Sequence, residues 1–223
     1  MRERPVLSGD IRNRNRSIML GAVFGGLAFT LGLLPLSFPF PPIPFLRFDL
    51  AEVPSFVALF MFGPGIGFVA AFSHFLALLV FGEWSPIGPL MKFLAVCSSM
   101  LGFWAAASLT AGRGLKVCVF SFGLVGAVSR ILVTSLANYI LLTVLFPFFL
   151  DIAAASLAAI TGLSMASYAQ KLFFVLLFTA IYNALHIPFS ILPAYLVTRS
   201  LAPISPVIGS PLPWIVSVAT SKR

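Results

Sequence analysis

Apolar residues run along this chain in blocks of about twenty, broken by short stretches where proline, glycine and charge collect. At about 1.5 Å of rise per residue, a helix of that length crosses the roughly 30 Å hydrocarbon core of a bilayer. The first block covers 17–36. It follows a basic start with Arg2, Arg4, Arg12, Arg14 and Arg16 set against Glu3 and Asp10. No small-x-small cleavage site follows it, so it reads as an uncleaved span with a cytoplasmic N-terminus. Gly21, Ala22, Gly25 and Gly26 make two overlapping small-xxx-small pairs, which let another helix approach closely, in the same bundle or on a partner.

Residues 37–45 (SFPFPPIPF) are excluded from helix by four prolines, which remove donors and fix φ. Their phenylalanines suit a loop lying at the membrane interface or folded over a ligand. Then comes LRFDLAEVPSFVALFMFGPG (46–65), with Asp49 and Glu52 ahead of Pro54 and a short apolar run ending at Gly63-Pro64-Gly65. Ten helical residues reach about 15 Å, half of a bilayer core. The carboxylates read as caps or hinges of this short second helix at the outer surface. A third segment runs over 66–81. Joining it to the second as one helix would place Arg113 and Lys116 outside and Glu83 inside, so the chain must reverse at Gly63–Gly65.

The remaining pattern is a turn GEWSPIGP (82–89) with Trp84, a fourth span over 90–109 with Lys92 in its first turn, and the loop TAGRGLK. A fifth span over 117–146 carries Arg130, Thr134 and Asn138 and stops at Pro147. Residues 148–170 read as a weakly polar outer segment, partly helical. The last span, 172–197, holds Asn183, His186, Pro188 and Pro193. The division is a basic N-terminus (1–16), a six-helix membrane domain (17–198) and a Pro/Ser-rich cytoplasmic tail (199–223), expected to be loosely ordered. The fold class is therefore an all-α integral membrane protein with six transmembrane helices, a short second helix and both termini cytoplasmic.

Composition agrees with a bilayer as solvent: 60% of residues are apolar, 9% are charged, and mean hydropathy is +1.06. The net charge of +8 does not point to nucleic acid, because the cations gather at the chain ends and in one loop. Cys97 and Cys118 lie in apolar runs without CxxC spacing, which excludes a zinc or disulfide framework.

Polar groups inside hydrocarbon need a reason, and each is a functional candidate. Arg130 pairs within an assembly or snorkels inward, and His74 reads as a packed histidine. Asn183 and His186, three apart, share a helical face. With Asn138 they can line an outward-facing pocket, where amide groups offer both donors and acceptors to a heterocycle. No HExxH, GxSG or Walker pattern occurs, so the chain carries no signature of metal, serine or P-loop chemistry. Binding or transport remains, beside an intramembrane hydrolase or a solitary facilitator.

FDL-x-x-x-P at Phe48–Pro54, FGP-x-x-G at Phe62–Gly67, Ile87-Gly88 in the outer turn and Asn183-x-x-His186 together resemble the S components of energy-coupling factor (ECF) transporters, most closely the riboflavin-specific type. The resemblance covers roughly residues 17–200. It implies a protein that is not an enzyme, has no cofactor, and binds a vitamin from outside. It also implies docking on a shared transmembrane subunit with two ATPases, through Gly21, Ala22, Gly25 and Gly26. The substrate-binding residues it implies are Asn138, Asn183, His186, Lys92, Phe48 and Asp49. His186 stands where that type usually has lysine, and Ser73-His74 where a Lys-Asn pair is common.

Overall fold

The computed structural model describes residues 7–82, 84–208 and 210–221, with backbone alone for 7–12. Glu83 of the outer turn and Arg2, Arg4, Lys222 and Arg223 of the ends lie outside the described residues.

The hydropathy blocks become helices α1 (Leu7–Leu33), α2 (Val53–Phe62), α3 (Pro64–Phe81), α4 (Ile87–Thr110), α5 (Leu115–Ile140) and α7 (Tyr168–Leu201). Five of these are long and apolar enough to cross a membrane, and α2 is the short one. The reversal between α2 and α3 is a single residue, Gly63, at φ 93°. Only glycine adopts that backbone readily, and Pro64 then supplies a preset first helical residue. A π-helical turn over Leu141–Leu145 extends α5 up to Pro147. The outer segment contains α6 (Phe148–Thr161), stopped by Gly162 in the left-handed conformation. Ser167 then opens α7: its hydroxyl accepts from the Gln170 amide, and the Gln170 side chain accepts from the Ser167 amide.

Two segments differ from the sequence reading. The proline-rich stretch is an antiparallel hairpin, β1 (Phe38–Phe40) with β2 (Ile43–Phe48), in which Phe38 faces Phe48 and Phe40 faces Ile43. Proline excludes helix but is tolerated in a two-stranded ribbon, where every strand is an edge. Phe40, Ile43 and Phe48 are buried, so the hairpin is anchored and not merely laid on the surface. The tail is not loose either. After α7 it folds back as α8 (Trp214–Thr220), whose Ile215 and Ala219 are buried in the main core. Val218 and Ala219 carbonyls accept from Gly112 and Gly114 of the α4–α5 loop. Arg16 donates to the Ile208 carbonyl at 2.6 Å. A Pro/Ser-rich composition hid a seven-residue apolar run that has a surface to bury against.

The ends of the bundle are electrostatically distinct. Arg16, Arg113, Lys116 and Arg199 accompany the α4–α5 loop and α8 at one end, while the hairpin, Trp84 and α6 lie at the other. The basic end is the cytoplasmic one. This is a multi-pass membrane protein, and the large apolar side chains exposed along its long helices, such as Val80, Phe120, Leu132 and Leu136, face lipid.

Small residues set the helix spacing. A Cβ on Gly102 would lie 2.7 Å from the Val125 carbonyl oxygen and 2.8 Å from Gly126 Cα, so α4 and α5 cross backbone to backbone. The α1 stripe splits. Gly21 and Gly25 are packed against Val69 and Ser73 of α3, where no side chain fits, so they serve the chain's own bundle. Ala22 and Gly26, one residue further round the helix, are exposed, and nothing lies within 4 Å of a Cβ at Gly26. The four residues expected to form one docking face thus occupy two.

Candidate ligand-binding site

The site grows from α2. Its first turn is preceded by Glu52, which the sequence reading made a cap or hinge, but the carboxylate makes no capping bond. It points into the bundle instead. Arg130 of α5 grips it with two hydrogen bonds, Nη1 to Oε2 at 2.7 Å and Nη2 to Oε1 at 2.9 Å. Ser190 of α7 donates to Oε2 at 3.1 Å. Arg130 Nε donates to Asn183 Oδ1 at 2.9 Å, and Asn183 Nδ2 donates on to the Thr179 carbonyl. Glu52 is 1% exposed and Arg130 2%. A planar bidentate pair with further hydrogen bonds from Ser190 to the carboxylate and from the guanidinium to Asn183 is the arrangement in which buried charges persist. Arg130 therefore neither snorkels nor waits for a partner subunit.

Above this floor is a cavity of about 500 Å³, within the range of small-molecule sites. Glu52, Arg130, Asn183 and His186 line it, together with Asp49 and Lys92, with Thr134 and Asn138 on α5, and with Tyr182 on α7. The hairpin contributes Phe45, Leu46 and Arg47, and the rim contributes Trp84, Phe149 and Ile152. It opens toward the end away from the basic loop. Lys92 and Asp49 form a half-buried ion pair at 2.6 Å, and the other Asp49 oxygen accepts from the Ala51 amide at 2.9 Å. The Asn138 side chain has no hydrogen-bond partner among the described residues. Trp84 and Phe149 meet edge to face at 5.9 Å, aromatic surfaces at the mouth.

Five of the six expected binding residues thus converge: Asn138, Asn183, His186, Lys92 and Asp49. Phe48 does not line the cavity. It is 7% exposed and packs among Phe38, Phe40, Tyr182, His186 and Phe189, fixing the hairpin behind the wall. Asn183 reaches the site with both amide atoms already engaged by Arg130 and Thr179, so it also orients the arginine. Sequence reasoning missed Glu52, Arg130, Tyr182 and Arg47 as cavity groups. The signal was available for one pair: a lone arginine and a lone glutamate in apolar surroundings are each other's cheapest partner. His74 is buried with Nε2 unpartnered and lies outside the cavity lining. Among the described residues no cluster of metal-ligating side chains occurs.

Residues 16–204 match the family model described as ECF transporter, substrate-specific component. The Riboflavin transporter RibU of Staphylococcus aureus (strain TCH60) is 34% identical over 92 residues, 41% of this chain and 48% of that protein. The match thus spans about half the length of that relative. The Riboflavin transporter FmnP of Bacillus subtilis (strain 168) is 28% identical over 150 residues, 65% of this chain and 76% of that protein. A solved chain described as "Structure and mechanism of the S component of a bacterial ECF transporter" aligns with a TM-score of 0.63 at 24% identity, covering 86% of this chain and 98% of that one. At that identity the likeness concerns the fold. With the family model covering all of the spans, the chain belongs to the substrate-specific (S) components of ECF transporters.

Proposed function

We propose that this S component captures riboflavin or a closely related flavin from outside and that partner subunits drive its uptake. The observation that carries the reading is the outward cavity of about 500 Å³, with amide, imidazole and ammonium groups on its walls and aromatic rings at its rim. A planar heterocycle needs that combination, apolar faces for the ring and a few donors and acceptors for its edge. The names of the two similar transporters favour a flavin over other heterocycles. Asn138, Asn183, His186, Lys92 and Asp49 would contact the ligand, and Phe48 would hold the hairpin that covers it.

The chain carries no Walker motif, so the energy for uptake would come from ATP hydrolysed by two ATPase subunits joined through a shared transmembrane subunit. Ala22 and Gly26, small and exposed on α1, would be where that subunit packs closely. Titration of riboflavin against the purified, detergent-solubilised protein, read by loss of flavin fluorescence, tests the reading. Saturable submicromolar binding is the expected result, weakened about tenfold by Asn138→Ala through loss of one buried hydrogen bond. Folded protein that binds no flavin overturns it.

A further inference from the structure

One hydroxyl joins the hairpin to the cavity floor. Tyr182 Oη lies 2.6 Å from the Arg47 carbonyl oxygen in β2 and 3.0 Å from His186 Nδ1. A carbonyl oxygen only accepts, so the single phenolic proton goes to Arg47. The hydroxyl oxygen then has only lone pairs to turn toward His186, and the proton on that second bond must come from Nδ1. In neutral imidazole the other nitrogen is then a bare acceptor. That nitrogen, Nε2, is buried and without a partner, on a side chain 1% exposed in the cavity wall. Glu52 Oε1 stands 3.6 Å from it and is an acceptor too. The carboxylate is already served by Arg130 and Ser190, so the group left wanting a donor is His186 Nε2.

We propose that Tyr182 is a positioning residue: by giving its proton to the hairpin it fixes His186 as the Nδ1–H tautomer, so that the cavity floor selects ligands presenting an N–H donor. The imide N–H of a flavin ring is such a donor, and this choice of ligand rests on the function proposed above. The tautomer does not depend on it. Because the acceptor for Tyr182 belongs to β2, the seating of the hairpin and the hydrogen-bonding polarity of the floor are set together by two hydrogen bonds.

The chain has two histidines, which makes the tautomer directly readable by nitrogen-15 NMR of histidine-labelled, detergent-solubilised protein. A His74→Gln variant assigns the signals. The expected pattern for His186 is a protonated Nδ1 and an unprotonated Nε2, relaxing toward a mixture in Tyr182→Phe. A protonated Nε2 in the unaltered protein, or an unchanged pattern in the variant, overturns the proposal. The binding arm compares riboflavin with its N3-methyl analogue. The unaltered protein should prefer riboflavin by at least about tenfold, the scale of one buried hydrogen bond left unmade. Tyr182→Phe should reduce the preference to within about twofold by weakening riboflavin alone. Equal weakening of both ligands would mean that Tyr182 only supports the fold, and the proposal fails. If the unaltered protein binds neither flavin, the functional reading falls and the NMR result decides the tautomer alone. Should Tyr182→Phe not fold, the tautomer and ligand preference of the unaltered protein decide it.

Discussion

Between Glu52 and Gly63, α2 passes from one kind of interior to another. At its outer end the neighbours are charged: Arg130, with Asn183 and Ser190 completing the hydrogen bonds, beside an open cavity. At its inner end Phe56 and Phe60 pack on Phe103, and Phe103 stacks on Phe122 at 5.8 Å with rings 8° from parallel. The buried hydroxyls of α4, Ser98, Ser99 and Thr110, turn back to carbonyls of their own helix. The outer end of α2 is thus ordered by directional bonds beside a cavity, and its inner end by close packing of rings. Directional bonds between buried charges specify an arrangement more than they stabilise it, whereas packed rings do the reverse. A binding protein needs both: a floor whose polar groups stay aimed, and a body that does not yield when the cavity fills.

Arg130→Ala should break the outer half most severely. It leaves Glu52 charged, buried and unpaired, a loss of about 3–5 kcal/mol, seen as a large fall in the thermal denaturation midpoint in detergent. The double replacement Glu52→Gln with Arg130→Met should recover most of that stability while flavin binding stays lost. Recovery of stability without binding is what separates specification from stabilisation. On the inner side, Ile215→Ala should cost about 2–3 kcal/mol by leaving a cavity in the core. Ligand affinity should remain within about twofold, because α8 is remote from the site. Gly102→Ala, pressed against the backbone of α5, should cost about 1–2 kcal/mol by overpacking. The smallest effect on stability belongs to Lys92→Met. Its pair with Asp49 is about one-fifth exposed, so the midpoint should move by less than about 1 kcal/mol equivalent while flavin affinity falls. A loss of stability in Lys92→Met as large as that in Arg130→Ala would show that the outer half is not organised around the buried pair.

The spans were legible because hydrophobic length answers to one simple constraint, the thickness of a bilayer. The turn at Gly63–Pro64 was legible because charge asymmetry rejects the alternative topology. The Glu52–Arg130 pair was legible only as two isolated charges in apolar surroundings, since 78 residues separate its members and no local spacing joins them. Glu52 was read as a cap from its place before Pro54, a position where carboxylates usually face solvent. The glycine stripe misled for a geometric reason. Gly21 and Gly25 form one ridge of α1, whereas Ala22 and Gly26 are turned about 100° from them, enough to separate an internal face from an exposed one. The hairpin was hidden by counting proline as loop, and α8 by counting proline and serine as disorder. Both are short elements whose order comes from what they pack against.

The position of α8 in the chain has a consequence for biosynthesis. Trp214 lies against Gly63, at the reversal between α2 and α3, and its ring packs on Phe122 of α5. Every spanning helix leaves the ribosome before the residues that close this corner of the core. Until α8 is in place, the apolar surface around Gly63 and Phe122 lacks its cover at this end of the bundle. The corner closes only when α8 folds back onto the bundle from the aqueous side, so this part of the core is completed by a docking step that membrane insertion does not itself accomplish.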